Sequence, residues 1–410
     1  MEDLMIFGWI EKCEDGRFFG WFSSSNELLN EEKLLHVYSS GELKSVKKIA
    51  LSRVERPDLD TYQNTFSFEF ELDEREFYQG ASTCSIHFKM YCSGNSYWMF
   101  VTPQLVSQSI AALDEEKKGL AFGRVSADGA AVVGAGGSIF LKQGTNNVEG
   151  LYTGATPIDI SAWLRVFSNR KLHSAEQNYQ YIQILIPEKA SVMYWKAPFY
   201  ATKGSPPLNE IISSVSRASM SEHLICGEDF LPDEVHSESV FRPFDTHMST
   251  YGSKLLIDEL LRRLNIAETI AYQLGAIVHG NTHGDIGVRF LEDGDVRERP
   301  PLYENLLDAN GDQLDPVLIG QFDPPSGNVG LYRHWKCANA PVKKRVLCFG
   351  GSSFERGEVS STLSWWCARL FSEFHFYWSP DSLHDAIKDV SPDVVICQTI
   401  ERFLTLVPRS

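Results

Sequence analysis

No apolar run in this 410-residue sequence approaches the ~20 residues that a membrane-spanning helix needs, so we expect no membrane span. Basic residues are also scarce, with 38 Lys and Arg against 54 Asp and Glu and a formal net charge of -16. Nucleic acids and anionic membranes bind clustered Lys and Arg, so this charge argues against both partners. The amino terminus MEDLMIFGWIEKCEDG has no basic segment followed by an apolar one, so we expect no signal peptide.

Paired cysteine motifs are absent as well. The eight cysteines are scattered without a CxxC pair. Cys348 and Cys397 lie inside apolar runs, where cysteine behaves as a small hydrophobe. This usage favours a reducing compartment.

The length predicts two domains, because 410 residues exceed the size at which one hydrophobic core usually stops growing. The first domain is predicted to be a small all-β sandwich over residues 1–104, since TFSFEFEL and SIHFKMYC alternate as strands do. The repeat FGWIEKCEDGRFFGWF predicts a hairpin that turns at Asp15-Gly16 and packs Trp9 and Trp21 on one face. With Arg56-Pro57-Asp58 and the alternating Phe strand that follows, this repeat resembles an accessory β-sandwich module found fused to bacterial glycosyltransferases and polysaccharide-modifying proteins.

Residues 105–120 are predicted to be a polar, helical linker, and residues 121–410 a second domain of the α/β class. The glycines of AVVGAGGSIFLKQGTNN predict a hairpin rather than a dinucleotide loop, because no helix-forming sequence follows them. From Ile158 onward, helical segments such as KLLIDELLRRL and SLHDAIKDV alternate with the apolar runs IQILI, VLCF and DVVIC. Such alternation predicts a parallel sheet with flanking helices.

The stretch RVLCFGGSSFERG, residues 345–357, joins a buried strand to a sharp turn with two serines. A helix is predicted over residues 359–374, and its first N–H groups would point back at the turn. This geometry can activate a serine and build half of an oxyanion hole. Taken alone, Gly-Gly-Ser-Ser is ordinary turn chemistry in most proteins.

A second stretch, FRPFDTHMSTYG, places Asp245 two residues before His247, ahead of an amphipathic helix predicted to begin near Thr250. Such a pair can set a carboxylate against the imidazole and hold its other ring nitrogen out as a general base. The alternative is an Asx turn with an incidental surface histidine.

Together the two stretches resemble the SGNH-hydrolase-like acetyltransferases of bacterial polysaccharide modification, the family of the alginate O-acetylation proteins. That family has an Asp-Thr-His triplet, usually followed by Trp, upstream of a Gly-x-Ser-aromatic turn. Here the triplet is Asp245-Thr246-His247, with Met248 in place of Trp. The turn runs from Gly351 to Phe354, with Ser352 where the family often has Asp or Thr. Weaker matches, such as LIPEKASVMY and PDVVICQTIERFL, extend the resemblance over residues 115–410.

The resemblance implies an SGNH-hydrolase-like sheet and an O-acetyltransferase that works through an acetyl-serine. In this interpretation Asp245 orients His247, and His247 takes the proton from Ser353, whose backbone N–H is an oxyanion donor. The implied partners are an acetyl donor, a saccharide acceptor and other polysaccharide-biosynthesis proteins, without a cofactor. Ser352, Arg356, Arg402 and Asp285 are further oxyanion or substrate candidates, with surface or ion-pair roles as the alternative for the arginines.

The segment HGNTHGD offers a rival metal site at His279, His283 and Asp285. Its glycines favour a loop, in which the i,i+4 spacing of the histidines loses its meaning, so no metal site is predicted there. The Gly284-Asp285 pair instead fits the family pattern and is expected to line the substrate cleft.

Two other functions use the same residues. An acetylesterase needs the same triad, and only the exclusion of water from the acyl-enzyme separates it from a transferase. The substitutions by Met248 and Ser352 also leave room for an inactive saccharide-binding or assembly protein.

The cellular location has two possible answers. The absent export signal and the scattered cysteines favour the cytoplasm or an incomplete precursor, and the resemblance favours the periplasm or surface.

Overall fold

The computed structural model describes separate strands up to residue 101 and most of the chain from residue 123 onward. The described residues are 6–14, 17–24, 34–39, 42–49, 52–53, 65–71, 86–92, 95–101, 120, 123–144, 147–231, 239–267, 270–293 and 296–409. The predicted linker at 105–120 and the Asp15-Gly16 turn therefore lie outside them, apart from Leu120. In the described part of the chain, no helix combines the length and apolar character that crossing a bilayer requires.

The chain divides into two compact units. The first comprises Met1–Phe140, Trp195–Phe199 and Arg289–Asp295, and the second comprises Leu141–Tyr194, Tyr200–Val288 and Val296–Ser410.

Eight strands of the first unit form one sheet in the order β4-β3-β7-β8-β1-β2-β6-β5. The predicted hairpin is confirmed, because β1 and β2 pair antiparallel and the pairing sets Trp9 opposite Trp21. A parallel pair between β1 and β8 joins the two halves of the sheet. The strand bounds are β1 Ile6–Glu14, β2 Arg17–Ser24, β3 Leu34–Ser39, β4 Glu42–Lys48, β5 Ser52–Arg53, β6 Thr65–Glu71, β7 Ile86–Cys92 and β8 Asn95–Val101. The sandwich arrangement stays a prediction.

The glycine-rich segment forms the predicted hairpin. Its strands β9 (Ala131–Val133) and β10 (Ile139–Leu141) pair across a 3₁₀ turn at Ala135–Gly137. Gly136 and Gly137 have φ of 68° and 72°, a left-handed conformation that glycine adopts readily.

The second unit is α/β, as predicted, and is built on a seven-stranded sheet in the order β12-β11-β21-β19-β20-β18-β17. The first five strands in this order pair parallel, and β18 and β17 pair antiparallel at one edge. The predicted parallel sheet is therefore correct for five strands only. The remaining strand bounds are β11 Gln180–Ile186, β12 Leu224–Ile225, β13 Tyr272–Leu274, β14 Ile277–His279, β15 Pro301–Tyr303, β16 Leu306–Asp308, β17 Val317–Phe322, β18 Tyr332–Lys336, β19 Val342–Gly350, β20 Phe371–Trp378 and β21 Val394–Ile400.

Eight α-helices accompany these strands in the described residues. Their bounds are α1 Val148–Thr153, α2 Ile160–Gln177, α3 Lys189–Val192, α4 Pro206–Arg217, α5 Gly227–Phe230, α6 Thr250–Arg263, α7 Leu363–Leu370 and α8 His384–Val390. Short 3₁₀ turns occur at Tyr194–Lys196, Ser221–His223, Gly287–Asp293 and Glu401–Phe403. The helices predicted near Thr250 and in SLHDAIKDV are confirmed as α6 and α8.

The helix predicted over residues 359–374 is wrong in its bounds. The observed helix α7 covers only Leu363–Leu370, and FSEFHFYW becomes strand β20. The alternating aromatic residues of this segment suit a strand, since Phe374 and Phe376 are fully buried on one side of the sheet.

Apolar side chains cover the parallel strands on both faces. Helix α8 packs on the face that presents Leu347 and Phe349, and α2 and α4 pack around Leu185. On the opposite face Phe354 stacks near Phe374 and Phe376. The buried runs VLCF and VVIC thus have the double-sided burial that their composition predicts, and Cys348 and Cys397 are both buried.

Candidate active site

The loop that precedes α6 carries the Asp245-Thr246-His247 triplet. An antiparallel bridge between Phe241 and Met248, both buried, closes this loop. Ser249 then caps α6, since its side chain accepts a hydrogen bond from the N–H of Gly252. Met248 therefore supplies buried apolar surface at the position where the family it resembles has Trp.

Asp245 accepts hydrogen bonds on both carboxylate oxygens. Its Oδ1 lies 2.9 Å from the backbone N and 2.6 Å from Nδ1 of His247. Its Oδ2 lies 2.8 Å from Nη1 of Arg242 and 3.2 Å from the N of Asp285. The Asx turn and the carboxylate–imidazole contact, which are alternatives in the sequence, are both present.

These contacts set the charges of the pair. Burial raises the pKa of Asp245, but the hydrogen bond and charge of His247 and the charge of Arg242 outweigh it, so the pKa lies far below its usual range. Burial lowers the pKa of His247, but the hydrogen bond and charge of Asp245 more than offset it and leave the pKa raised. An ionised carboxylate only accepts hydrogen bonds, so Nδ1 of His247 carries the proton.

The other ring nitrogen, Nε2 of His247, is buried and has no hydrogen-bond partner among the described residues. His247 and Ser353 line the same cavity, whose volume is about 340 Å³. Its walls are formed by Arg242, Asp245, His247, Met248, Thr282, Gly284, Asp285, Ser352, Ser353, Glu355, Ser361 and Thr362. The cavity wall thus contains Ser353, the imidazole of His247, whose Nε2 can accept a proton, and the ionised carboxylate of Asp245.

Ser353 lies in a tight turn directly after β19. The N–H groups of Phe354 and Glu355 donate to the carbonyl of Gly351, at 3.1 and 3.4 Å. The carbonyl of Ser353 accepts from the N–H of Leu363, the first residue of α7, at 2.9 Å. The helix N-terminus therefore contacts the turn through a backbone carbonyl, and the Ser353 side chain is left on the cavity wall.

The turn is also held by the neighbouring strand. Gln398, near the end of β21, accepts a hydrogen bond from the N–H of Gly351 at 2.9 Å. A side chain at Gly350 would lie 3.0 Å from the same amide oxygen, so glycine suits this approach. The motif PDVVICQTIERFL therefore supplies a positioning residue, Gln398, that sequence reasoning missed because a lone Gln in a strand carries no signal.

The turn lies at the carboxyl end of a parallel strand. In chain order the five parallel strands follow the order 2-1-5-3-4 across the sheet, so that β19 and β21 are neighbours. In open α/β sheets ligands bind in the crevice outside the carboxyl ends of the strands. The Gly351 turn and Gln398 lie at this edge.

A second set of contacts brings the histidine loop to the serine turn. Ser253 in α6 donates to the carbonyl of Ser361 at 2.7 Å, and Thr250 and Ser360 are hydrogen-bonded through their hydroxyls at 3.2 Å. Since α6 directly follows the triplet and Ser360 lies between the turn and α7, these bonds join the two motifs.

Asp285 and Gly284 line the cavity. Its carboxylate accepts from the N–H of Thr246 at 2.6 Å and from the Thr246 hydroxyl at 2.5 Å. Gly284 has a φ of 71°, and a Cβ there would meet the carbonyl oxygen of Phe244 at 2.0 Å. Burial and the charge of Asp245 raise the pKa of Asp285.

The histidines of HGNTHGD bond elsewhere. Nδ1 of His279 lies 3.3 Å from the carbonyl of Arg299, and Nδ1 of His283 lies 2.7 Å from the carbonyl of Val296. The residues that could hold a cation at the cavity are instead Asp245, His247 and Asp285, whose ligand atoms lie within 4.8 Å of one another.

The other sequence candidates are dispersed. Ser352 lines the cavity beside Ser353. Arg356 is exposed and lies near Asp323, and Arg402 forms a buried ion pair with Glu188 at 2.7 Å. Neither arginine is part of the cavity wall.

Glu355 and Lys189 also belong to the site, although sequence reasoning did not single them out. Glu355 lies on the cavity wall with a φ of 48°, a strained value for a non-glycine residue. Burial raises its pKa, and the nearby charges of Asp245 and Asp285 also raise it. The ammonium of Lys189, which is buried, donates to the carbonyls of Arg242 and Pro243 at 2.7 Å each and thereby anchors the triplet loop.

Comparison with known proteins adds little to this geometry. No family model matches the chain, and no curated protein matches it. Among solved structures, the chain is similar to the O-acetyltransferase domain of Pseudomonas putida AlgJ, at 15% identity and a TM-score of 0.37 over 68% of this chain and 92% of that chain.

Proposed function

We propose that this protein is a serine-dependent O-acetyltransferase that transfers an acetyl group onto a sugar hydroxyl of a bacterial polysaccharide or its precursor. One observation carries the proposal: Nδ1 of His247 is hydrogen-bonded to the ionised Asp245, and its Nε2 is buried without a hydrogen-bond partner among the described residues. His247 and Ser353 line the same cavity. This is the arrangement that a general base needs in order to accept a serine proton.

In the first half-reaction the Ser353 hydroxyl attacks the carbonyl carbon of an acetyl ester. Nε2 of His247 takes the hydroxyl proton, and the negative charge on the carbonyl oxygen is stabilised by the backbone N–H of Ser353. The ester bond of the donor then breaks, its oxygen receives the proton from His247, and acetyl-Ser353 remains.

In the second half-reaction a sugar hydroxyl replaces the donor alcohol. His247 takes the proton from this hydroxyl, the sugar oxygen attacks the acetyl carbonyl, and Ser353 leaves with the proton returned by His247. Asp245 stays ionised throughout and stabilises the imidazolium form of His247, in agreement with its depressed pKa. No cofactor is needed for either step.

The proposal is tested with p-nitrophenyl acetate as donor, with and without a mixture of oligosaccharide acceptors. We expect nitrophenol release to fall by about 10⁴-fold or more in Ser353→Ala and His247→Ala. Ser352→Ala is the matched control, because Ser352 lines the same cavity one residue away. Intact-protein mass spectrometry of the wild type should detect one added acetyl group, and peptide mapping should assign it to the peptide that contains Ser353.

The same experiment separates the competing functions. If adding the acceptor lowers the release of free acetate and yields an acetylated sugar, the result supports the transferase. Acetate release at the same rate with and without acceptor identifies an acetylesterase. Activity that is unchanged in Ser353→Ala contradicts the assignment of Ser353 as nucleophile, and activity that is absent in the wild type favours an inactive saccharide-binding or assembly protein.

A further inference from the structure

Three potential metal ligands meet on the antiparallel edge of the seven-stranded sheet. His334 lies on β18, and Glu373 and His375 lie on β20, where the strand pairing sets His334 directly opposite His375. Their ligand atoms all lie within 4.8 Å of one another. This cluster is separate from the Ser353 cavity, which contains none of these residues.

Strand geometry places the three side chains on one face. Glu373 and His375 are two residues apart on β20 and therefore point the same way, and directly opposite residues of paired strands also share a face. His375 is level with Leu347 of β19, three residues before Gly350 and so ~10 Å from the serine turn along the strand. The cluster is therefore outside the chemistry of the cavity.

The nitrogen atoms converge on one carboxylate oxygen. Nε2 of His334 is 2.9 Å and Nε2 of His375 is 3.2 Å from Oε1 of Glu373. The two imidazoles stack with a centroid distance of 3.8 Å and an interplanar angle of 21°. Ligands about 2.0 Å from a tetrahedral zinc are separated by roughly 3.3 Å, so small side-chain rotations would open this cluster around an ion.

The second ring nitrogen of His375 and the second carboxylate oxygen of Glu373 already have partners of the kind that orient metal ligands. Nδ1 of His375 lies 2.9 Å from the hydroxyl of Tyr332. Nε of Arg345 donates to Oε2 of Glu373 at 3.0 Å, which leaves Oε1 directed at the two imidazoles. Such outer contacts fix ring orientation and carboxylate geometry in metal sites.

Access and rigidity also suit a bound ion. The His334 and Glu373 side chains are each 16% exposed, and that of His375 is 6% exposed, so one side of the cluster is open to solvent. All three residues lie on hydrogen-bonded strands, which hold side chains more precisely than loops do.

We propose that His334, Glu373 and His375 bind one divalent late transition-metal ion, such as zinc, with water in the fourth position. Two imidazoles and one carboxylate form a donor set that zinc accepts. Bound there, the ion joins β18 to β20 and stabilises the antiparallel edge of the sheet.

Two cations lie close to the cluster and oppose a further positive charge. Arg345 is bonded to Glu373, and Nζ of Lys336 lies 3.8 Å from Oε1 of Glu373. Because the Lys336 side chain is 55% exposed, it can be replaced without opening the core. The Lys336→Met variant should therefore bind the ion several-fold more tightly. If the three residues form only a hydrogen-bond cluster and bind no metal, the substitution should have no such effect.

The test uses the full chain, stripped with a chelator, dialysed free of it and titrated with ZnCl₂ by calorimetry. We expect one zinc per chain, a rise in Tm with free zinc, and a visible absorption spectrum of nitrogen- and oxygen-ligated Co²⁺ on cobalt substitution. His334→Ala and Glu373→Gln should each weaken zinc binding by at least tenfold.

His173→Ala with His384→Ala is the matched control. These imidazoles are also stacked, at 4.2 Å, and Nδ1 of His173 bonds the hydroxyl of Tyr179 rather than a carboxylate. This double variant and His247→Ala should keep wild-type affinity, the latter because His247 belongs to the cavity cluster. The proposal would be overturned if the wild type does not bind zinc, or if His334→Ala binds zinc with wild-type affinity. Loss of zinc binding in His247→Ala would also overturn it. If the variants of the ligand residues do not fold, the zinc affinity of Lys336→Met tests the proposal, because this substitution changes only an exposed side chain.

Discussion

At the scale of single residues, the candidate site is organised around Asp245. Its carboxylate accepts from the backbone and ring of His247, from Arg242 and from the N–H of Asp285. A buried carboxylate with this many donors stays ionised, and it directs the proton of His247 to Nδ1. What remains available for chemistry is therefore Nε2 of His247, at the wall of the cavity.

Asp245→Asn should lower activity and move its pH dependence. The base must be neutral, so in the wild type activity rises with pH through the pKa of His247, which Asp245 raises above its ordinary value. Without the carboxylate that pKa falls, and the rise should move to lower pH. The kcat should fall about 10⁴-fold, because an amide can favour the wrong tautomer. Measuring kcat and kcat/KM from pH 5 to 9 checks both effects, and an unmoved profile would contradict the assignment of His247 as base.

The same pair should contribute a bell-shaped term to stability. The raised pKa of His247 stabilises the fold at low pH, and this contribution is lost as pH rises through the folded pKa. The lowered pKa of Asp245 stabilises the fold at pH values above the pKa that this carboxyl group has in the unfolded chain. This contribution is lost as the pH falls toward its pKa in the folded protein. The difference in free energy of unfolding between the wild type and Asp245→Asn, measured by urea titration, should therefore be largest near pH 5 to 6 and shrink on either side.

Lys189→Met should destabilise the protein and displace the triplet loop. The substitution removes a buried ammonium that donates to the carbonyls of Arg242 and Pro243, at a cost of about 2–4 kcal/mol in free energy of unfolding. Lys254→Met is the control, since its i,i+4 pair with Asp258 is partly exposed and contributes about 0.3–0.5 kcal/mol. Urea unfolding at pH 7 measures both, and equal losses would show that the Lys189 contacts do not anchor the loop.

At the scale of elements, three loops converge because their flanking elements are bonded to one another. The N-terminus of α6 is tied to residues 360–361 through Thr250 and Ser253, which brings the triplet loop beside the serine turn. The third loop, around Gly284, packs its backbone against Phe244 so closely that no side chain fits. The site therefore depends on contacts between loops that are distant in the sequence.

Gly284→Ala should disrupt the site more than its backbone conformation alone explains. A Cβ at this position meets the Phe244 carbonyl oxygen at 2.0 Å, so the loop that carries Asp245 must shift. Gly311→Ala is the control, because Gly311 also has a positive φ, 88°, but has nothing within 4 Å of its Cβ position. The control should lose about 1–2 kcal/mol, the cost of left-handed backbone, whereas Gly284→Ala should lose more stability and most activity. Equal effects in thermal unfolding and acetyl transfer would rule out the close contact as the cause.

At the scale of the whole molecule, negative charge dominates. The chain has a formal net charge of -16, and the cavity wall carries Asp245, Asp285 and Glu355 against Arg242 and His247. Such a field repels polyanions over distances of about 10 Å at moderate ionic strength. Under the proposed function, we therefore expect a neutral or amino sugar as acceptor rather than a uronic acid.

Acceptor preference should follow this charge. A neutral oligosaccharide should have a several-fold higher kcat/KM than an acidic one of the same length, and added NaCl should narrow the difference by screening the repulsion. Measuring acetyl transfer to matched neutral and uronic oligosaccharides at 20 and 500 mM NaCl provides the comparison. A preference for the acidic acceptor, or an advantage that grows with salt, would contradict the expectation.

The sequence by itself determined much of the local structure. Apolar runs and periodicity predicted β11, β19, β21, α6 and α8, because burial of these residues leaves little choice of conformation. They did not separate α7 from β20, since WWCARLFSEFHFYW is apolar enough for either conformation and only the pairing with β18 and β19 selects the strand. The motif pattern likewise identified Asp245, His247 and Ser353 as candidates.

Only the tertiary structure decided which candidates share a cavity and which do not. Asp285 and Ser352 join the cavity, whereas Arg402 is used in an ion pair with Glu188 that lies 214 positions away in the chain. The contacts of Gln398, Lys189 and Glu355 and the cluster at His334 could not be predicted, because each depends on strand order or on loops meeting across the sheet. Local periodicity reports burial along one segment, but it contains no information on which segments become neighbours.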